Sequence, residues 1–142
     1  MSRLNVDKLL KALDNDNNES IIETNKSDIK QIKNNVFQQL NLPKDKLKEY
    51  HLKLRDYRYV DDVSEIQSGC FFRWINLKNP ENISLTRGAF LCDIGINNDG
   101  IHLIFKIPYG QHCQIRMDEV FLFQKLTEDE HVILSAMKFL QK

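Results

Sequence analysis

The run Phe90-Leu91-Cys92-Asp93-Ile94-Gly95-Ile96-Asn97-Asn98-Asp99-Gly100-Ile101-His102-Leu103-Ile104-Phe105-Lys106-Ile107 decides the fold. Phe90, Cys92, Ile94 and Ile96 share one face of an extended chain, and Ile101, Leu103, Phe105 and Ile107 share another, a period of two. Between them Asn97-Asn98-Asp99-Gly100 is turn chemistry, its Asp-Gly supplying the positive φ values of a tight turn. This spacing predicts an antiparallel hairpin.

Outward from the hairpin the same period continues. Pro108-Tyr109-Gly110 forms another turn, Cys113, Ile115 and Met117 alternate after it, and Phe121, Leu122 and Phe123 make the last strand. Upstream, Cys70, Phe72 and Trp74 alternate with Phe71, Arg73 and Ile75 in a strand apolar on both faces, and Lys78 to Asn82 is a turn. These make five strands, with Val60 to Ile66 as a candidate first strand ahead of them. Two faces of this apolarity must be covered, so the sheet is expected to be strongly bent and antiparallel, or a small β-barrel.

Helices flank the strands. Ser27 suits an N-cap with Asp28 in the first turn, and Ile29, Ile32, Val36, Phe37 and Leu40 fall on one helical face. Pro43 ends that helix, and Leu47, Tyr50, Leu54 and Tyr57 mark the buried side of the next, completing a helical hairpin over 27–58. At the other end Thr127 and Glu130 fit a capping box, followed by Val132, Ile133, Ala136, Met137 and Leu140 on one face. The prediction is an α+β domain over 27–142, with the barrel at 59–126 and a C-terminal helix at 127–142.

Residues 1–26 read as an appendage. Asn5 can cap a short helix with an apolar stripe of Val6, Leu9, Leu10 and Leu13, and the polar run 14–26, with Ile21 and Ile22, reads as a mobile linker. A stripe of this length docks weakly or folds into a partner's groove. Deleting residues 1–20 is accordingly expected to cost less than about 1 kcal/mol.

Composition removes several function classes. Twenty basic residues balance twenty acidic ones in 142, so no global field draws the chain to nucleic acid or anionic lipid. Residues 1–60 nevertheless carry twelve basic and nine acidic side chains, with most of the excess between Lys26 and Arg58. No apolar run is long enough for a membrane span and no secretion signal is evident, which points to an intracellular protein. The Asn-x-Ser sequons at Asn18, Asn25 and Asn82 are then chance matches. Abundant lysine, isoleucine and asparagine (14, 14 and 13) suggest an A/T-rich genome.

Chemistry is sparse. Cys70, Cys92 and Cys113 stand 22 and 21 residues apart, unlike the close ligand pairs of zinc sites, so no metal and no cofactor are expected. Ser68-Gly69-Cys70 and His112-Cys113 have no framing motif for a nucleophile. His51, His102 and His131 read as surface histidines, and the pairs Asp61-Asp62 and Asp118-Glu119 as strand-end acids whose neighbours point apart. Five glycines include no phosphate-cradling loop. An enzyme is not expected.

Binding residues are easier to nominate. The stripe Val6, Leu9, Leu10 and Leu13 is the candidate protein-partner or self-association surface. The alternative is a nucleic-acid or peptide contact through Lys46, Lys48, Lys53, Arg55, Arg58, Tyr59, Arg73 and Trp74, where aromatic and cationic side chains interleave. The aromatics also suit a methyl-lysine cage or an ordinary core.

The segments Tyr57-Arg58-Tyr59-Val60, Phe72-Arg73-Trp74-Ile75-Asn76-Leu77, Met117-Asp118-Glu119 and Phe123-Gln124-Lys125-Leu126-Thr127 carry a resemblance. Over about residues 57–140 the chain resembles uncharacterised small proteins of large DNA viruses of protists and algae. The strand order is also similar to Src-homology-type and Tudor-type small barrels, with Arg116 to Glu119 as the short turn before the last strand. The resemblance implies a viral protein in host cytoplasm, nucleus or virion and assigns no function and no site residue, so the expected function, a non-enzymatic interaction module, rests on the residues alone.

Overall fold

The computed structural model describes residues 6–14 and 26–140. The Asn5 cap and most of the expected linker, residues 15–25, lie outside the described residues. In chain order the elements are α1 (Val6–Asp14), α2 (Lys26–Gln38), α3 (Lys44–Lys53), β1 (Tyr57–Val60), a 3-10 turn (Val63–Glu65), β2 (Phe71–Asn76), β3 (Ala89–Asn97), β4 (Gly100–Lys106), β5 (His112–Arg116), a second 3-10 turn (Met117–Glu119), β6 (Val120–Lys125) and α4 (Glu128–Leu140). The α+β class holds. The described residues fall into two compact units, one of residues up to Ile32 with those from Leu126 onward, the other Lys33–Lys125.

In the Lys33–Lys125 unit six strands form one antiparallel sheet in the order β1-β6-β2-β3-β4-β5. Six replaces the expected five, and the order is open, with β1 and β5 as edges rather than a closed barrel. The extra strand is Tyr57–Val60, where Tyr57 and Arg58 are expected to end a helix and Val60 to begin a strand running to Ile66. Its aromatic and β-branched residues pair instead with β6, from Tyr57 opposite Lys125 to Val60 opposite Leu122. Helix α3 therefore stops at Lys53, and Tyr57 is buried as a strand residue. The strand expected at Val60 to Ile66 is interrupted by a 3-10 turn, capped where Asp62 accepts from the Ser64 N–H at 3.0 Å.

Each sheet face has its own core. On one, Val60, Phe72, Trp74, Ala89, Leu91, Leu103, Phe105, Val120 and Leu122 cluster with no helical residue among them. Phe72, Leu103 and Phe105 are fully buried there, so the sheet must curl over its own face to exclude water. Trp74 stacks on Phe105 with ring centroids 4.5 Å apart. The other face of β1, β6 and β2 carries Tyr57, Phe123 and Ile75, covered by Val36 and Phe37 of α2, Tyr50 of α3 and Leu54 just after it.

The α2 face departs from expectation at two positions. Ile32 is exposed and Lys33 is buried. The Lys33 stem packs as hydrocarbon while its Nζ donates to the Leu54 carbonyl at 2.7 Å, satisfying an acceptor at the end of α3. Ser27, the expected cap, lies inside the helix, which begins at Lys26.

The deciding hairpin forms, with one shift. A bulge between Leu91 and Asp93 moves the register, so Ala89, Leu91 and Ile94 face the core while Phe90 and Cys92 are exposed. The expected face of Phe90, Cys92, Ile94 and Ile96 is thereby split. At the turn Gly100 has φ 120°, whereas Asn98 and Asp99 have no positive φ. Gly100→Val should therefore cost more than about 1 kcal/mol, since a β-branched residue resists that conformation. Thermal unfolding equal to the parent's would remove the turn assignment.

In the other unit α1 is built into a core. Ala12, Ile29, Leu126, Ile133 and Leu134 cluster, with Leu9 and Met137 packed against them. The α4 capping box forms as expected: the Thr127 N–H donates to Glu130 Oε1 at 3.0 Å and the Glu130 N–H to Thr127 Oγ1 at 3.1 Å. At the surface Lys8 bonds Glu128 at 2.9 Å, which holds the lysine pKa up and the glutamate pKa down.

Candidate interaction surfaces

The α1 stripe is divided by its own packing. Leu9 is half-buried against the core, while Val6, Leu10 and Leu13 are 56%, 55% and 41% exposed. Those three sit at i, i+4 and i+7, one continuous apolar line along a helix that Ala12 anchors.

The alternative set does not stay together. Lys46, Lys48, Lys53 and Arg55 are exposed, as Lys44 is, on and beside α3, with Asp45 and Glu49 between Lys44 and Lys53 around the helix. Lys53 pairs with Glu49 at 3.2 Å, and Lys46 lies 5.9 Å from the Tyr50 ring centroid. Trp74 is only 7% exposed and belongs to the core, so it offers no stacking surface. Tyr59 is half-buried against Phe121 and Phe123. Arg73 projects from the opposite face of β2 to Trp74, and its Nε donates to the Thr86 carbonyl at 2.8 Å.

Arg58 is the largest surprise. Only 4% exposed, it pairs with Glu65 at 3.5 Å beside the fully buried Gln124, its cross-strand neighbour. Gln124 in turn accepts from the Gln67 N–H at 2.9 Å. Nothing in the local pattern marks this polar end of the core, because alternation shows which residues share a face and not which loop covers them. Glu65 bears its cost: burial raises its carboxyl pKa, Arg58 pulls it back, and Asp61 and Asp62 push it further up.

An acid with a raised folded pKa binds its proton more tightly in the folded chain. Its stabilising share is therefore present at low pH and is lost as pH rises through the window just above the ordinary glutamate value. Across about pH 4 to 7, the unfolding free energy of the parent minus that of Glu65→Gln should fall. Urea melts at stepped pH read this difference, and a flat one refutes the assignment.

The remaining chemistry-bearing residues are dispersed. The outward face of the β3–β5 hairpins carries a chain in which Gln114 Nε2 donates to His102 Nδ1 at 2.9 Å and His102 Nε2 meets Asn97 Oδ1 at 3.2 Å. Asp118 and Glu119 neutralise Arg116, and Lys78 bonds Glu119 at 3.0 Å. His51 packs edge-on to Phe37 rather than standing in water. Cys70 and Cys113 are half-buried, Cys92 is exposed, and burial pushes the Cys113 thiol pKa up, away from thiolate. Among the described residues no three His, Cys, Asp or Glu side chains converge as metal ligands. No helix among the described residues is long and apolar enough to cross a membrane. No protein-family model, curated protein or solved structure matches the chain.

Proposed function

We propose that the protein is a non-enzymatic interaction module acting through protein–protein contacts. The observation that supports this reading is the exposed line of Val6, Leu10 and Leu13 on α1. A helix already held by Ala12 and Leu9 loses little conformational freedom on docking, so its apolar anchors contribute directly to affinity. As a viral protein, it would act on host or virion proteins in cytoplasm, nucleus or particle. The single turn Met117–Glu119 ahead of β6 suits the likeness to Src-homology-type and Tudor-type barrels, an analogy of fold alone.

The experiment is affinity capture from the native cell, comparing the parent with a Leu10→Glu, Leu13→Glu double variant. Both sites are exposed, so the variant should keep the parent's helical signal and melting temperature while losing its captured proteins. Identical partner sets would refute the α1 assignment.

The second reading, nucleic-acid binding, is favoured by the exposure of Lys44, Lys46, Lys48, Lys53 and Arg55 on and beside α3. With Trp74 buried, such binding would use phosphates and little base stacking. Retention on DNA or RNA that falls steeply with salt supports it, and retention absent at low salt refutes it.

A further inference from the structure

We infer that β5 is a self-pairing edge, through which two copies of this chain join their sheets about a two-fold axis at Gln114. This goes beyond the α1 reading and uses a different surface. Among the described residues strand β5 ends the sheet, paired to β4 on one side. The Ile107 N–H donates to the Gln111 carbonyl at 2.8 Å, which sets the phase of the β4–β5 ladder. Antiparallel ladders alternate, so Cys113 and Ile115 also turn their backbone groups to β4, opposite Phe105 and Leu103. His112, Gln114 and Arg116 then turn N–H and C=O outward, an open row of donors and acceptors.

The two edges of the sheet differ in how they are defended. An inward-pointing charge is a common guard against strand addition. Strand β1 has one, since Arg58 points into the sheet and is buried. The inward side chains of β5 are Cys113 and Ile115, both apolar, half-buried and packed at the margin of the curled core.

The occupant follows from the pattern of β5 itself. Antiparallel pairing centred on Gln114 sets His112 opposite Arg116 of the other copy and Gln114 opposite Gln114. Cys113 then meets Ile115, extending the apolar margin of one core into the next. All three outward-facing residues on each strand find mates, giving about six main-chain hydrogen bonds. The opposed Gln114 amides can bond each other, and Arg116 arrives already neutralised by Asp118 at 2.9 Å. A second copy thus satisfies backbone, core and charge at a single register. The ladder is short, so the dimer forms reversibly with concentration.

Sedimentation velocity on the full chain over a concentration series tests this, and a concentration-dependent shift from monomer to dimer is expected. Gln114→Pro deletes the N–H that faces outward and leaves the β4 ladder its bonds, so it should weaken the dimer at least tenfold. Gln114→Ala keeps that N–H and should dimerise within about threefold of the parent. Gln114→Lys sets like charges face to face and should weaken the dimer at low salt, with recovery at high salt. The lysine variant decides the matter should circular dichroism show that the proline variant is misfolded. A monomer at every concentration overturns the inference. So does a dimer that survives in folded Gln114→Pro, or one lost in the α1 double variant and kept in Gln114→Pro, which would place self-association on α1. Dimerisation that needs an added foreign strand also overturns it.

Discussion

Gly88→Ala is expected to destabilise the sheet-bearing unit by at least about 3 kcal/mol. Gly88 has φ +98°, and a Cβ there would lie 2.5 Å from the Phe72 carbonyl oxygen and 2.5 Å from the Phe71 ring. The Phe72 oxygen, a backbone atom, cannot yield cheaply. Phe72 is a β2 residue paired on both sides, to Ala89 in β3 and Gln124 in β6. The approach to Gly88 is also held. The Thr86 N–H donates to the Trp74 carbonyl at 3.0 Å, the Trp74 N–H to Thr86 Oγ1 at 3.1 Å, and the Leu85 N–H to the Tyr50 hydroxyl at 3.2 Å. From there the chain must enter β3 at Ala89 with no room for a side chain.

Gly69 and Gly110 also have positive φ, but a Cβ at either meets open space. Gly69→Ala and Gly110→Ala should cost about 1 kcal/mol each, the conformational part alone. Urea unfolding followed by Trp74 fluorescence measures all three. Equal losses at Gly88 and Gly69 would show that the close approach carries no energy.

Ala12→Asp is expected to destabilise the helical unit by more than about 3 kcal/mol. Ala12 is fully buried among Ile29, Leu126, Ile133 and Leu134, and a carboxylate there must be desolvated among apolar neighbours. Leu10→Asp introduces the same residue into the same helix at a site 55% exposed. Its cost should stay near the helix-propensity difference, about 0.5 kcal/mol. Helical circular dichroism and amide exchange over residues 132–137 report the loss, and equal behaviour of the two variants would refute the docking of α1. From the same packing, removal of residues 1–20 is expected to cost more than the ~1 kcal/mol that the amino-acid order suggests. Removing α1 would expose Ile133 and Leu134 of α4, and the larger loss follows.

Local chemistry was readable wherever one residue acts on its own backbone or its near neighbours. The α4 capping box, the turns at Gly100 and Gly110, and the alternation of Leu103 with Phe105 belong to this class. Reading failed where period and partner diverge. Tyr57 stands at a helical spacing from Leu54, Tyr50 and Leu47, yet it is a strand residue because β6 offers it a ladder. The bulge at Leu91 and Asp93 adds one residue to β3, and alternation gives no sign of where the phase slips.

The candidate surfaces divide along the same line. The stripe on α1 and the cations around α3 are visible in the amino-acid order, because helical geometry sets which residues share a face. Which of them stay exposed is a tertiary matter. Ala12 took an inner position that the stripe assigns to leucines, leaving Val6, Leu10 and Leu13 in water. Trp74 and Arg58, grouped with Arg73 by sequence proximity, went into the sheet interior, while Arg73 stayed on the other side of the same strand.

Composition and periodicity by themselves determined an α+β chain, its strand-turn-strand core and its closing helix. These follow from interactions between residues a few positions apart. The tertiary structure alone decided the sixth strand, the open order with β1 and β5 as edges, the burial of Lys33 and Arg58, and the anchoring of α1. Those outcomes depend on hydrogen bonds and desolvation between residues far apart in sequence. Lys33 meets the Leu54 carbonyl and Gln67 meets Gln124 only once the chain has folded, and no spacing along it records the distance between them.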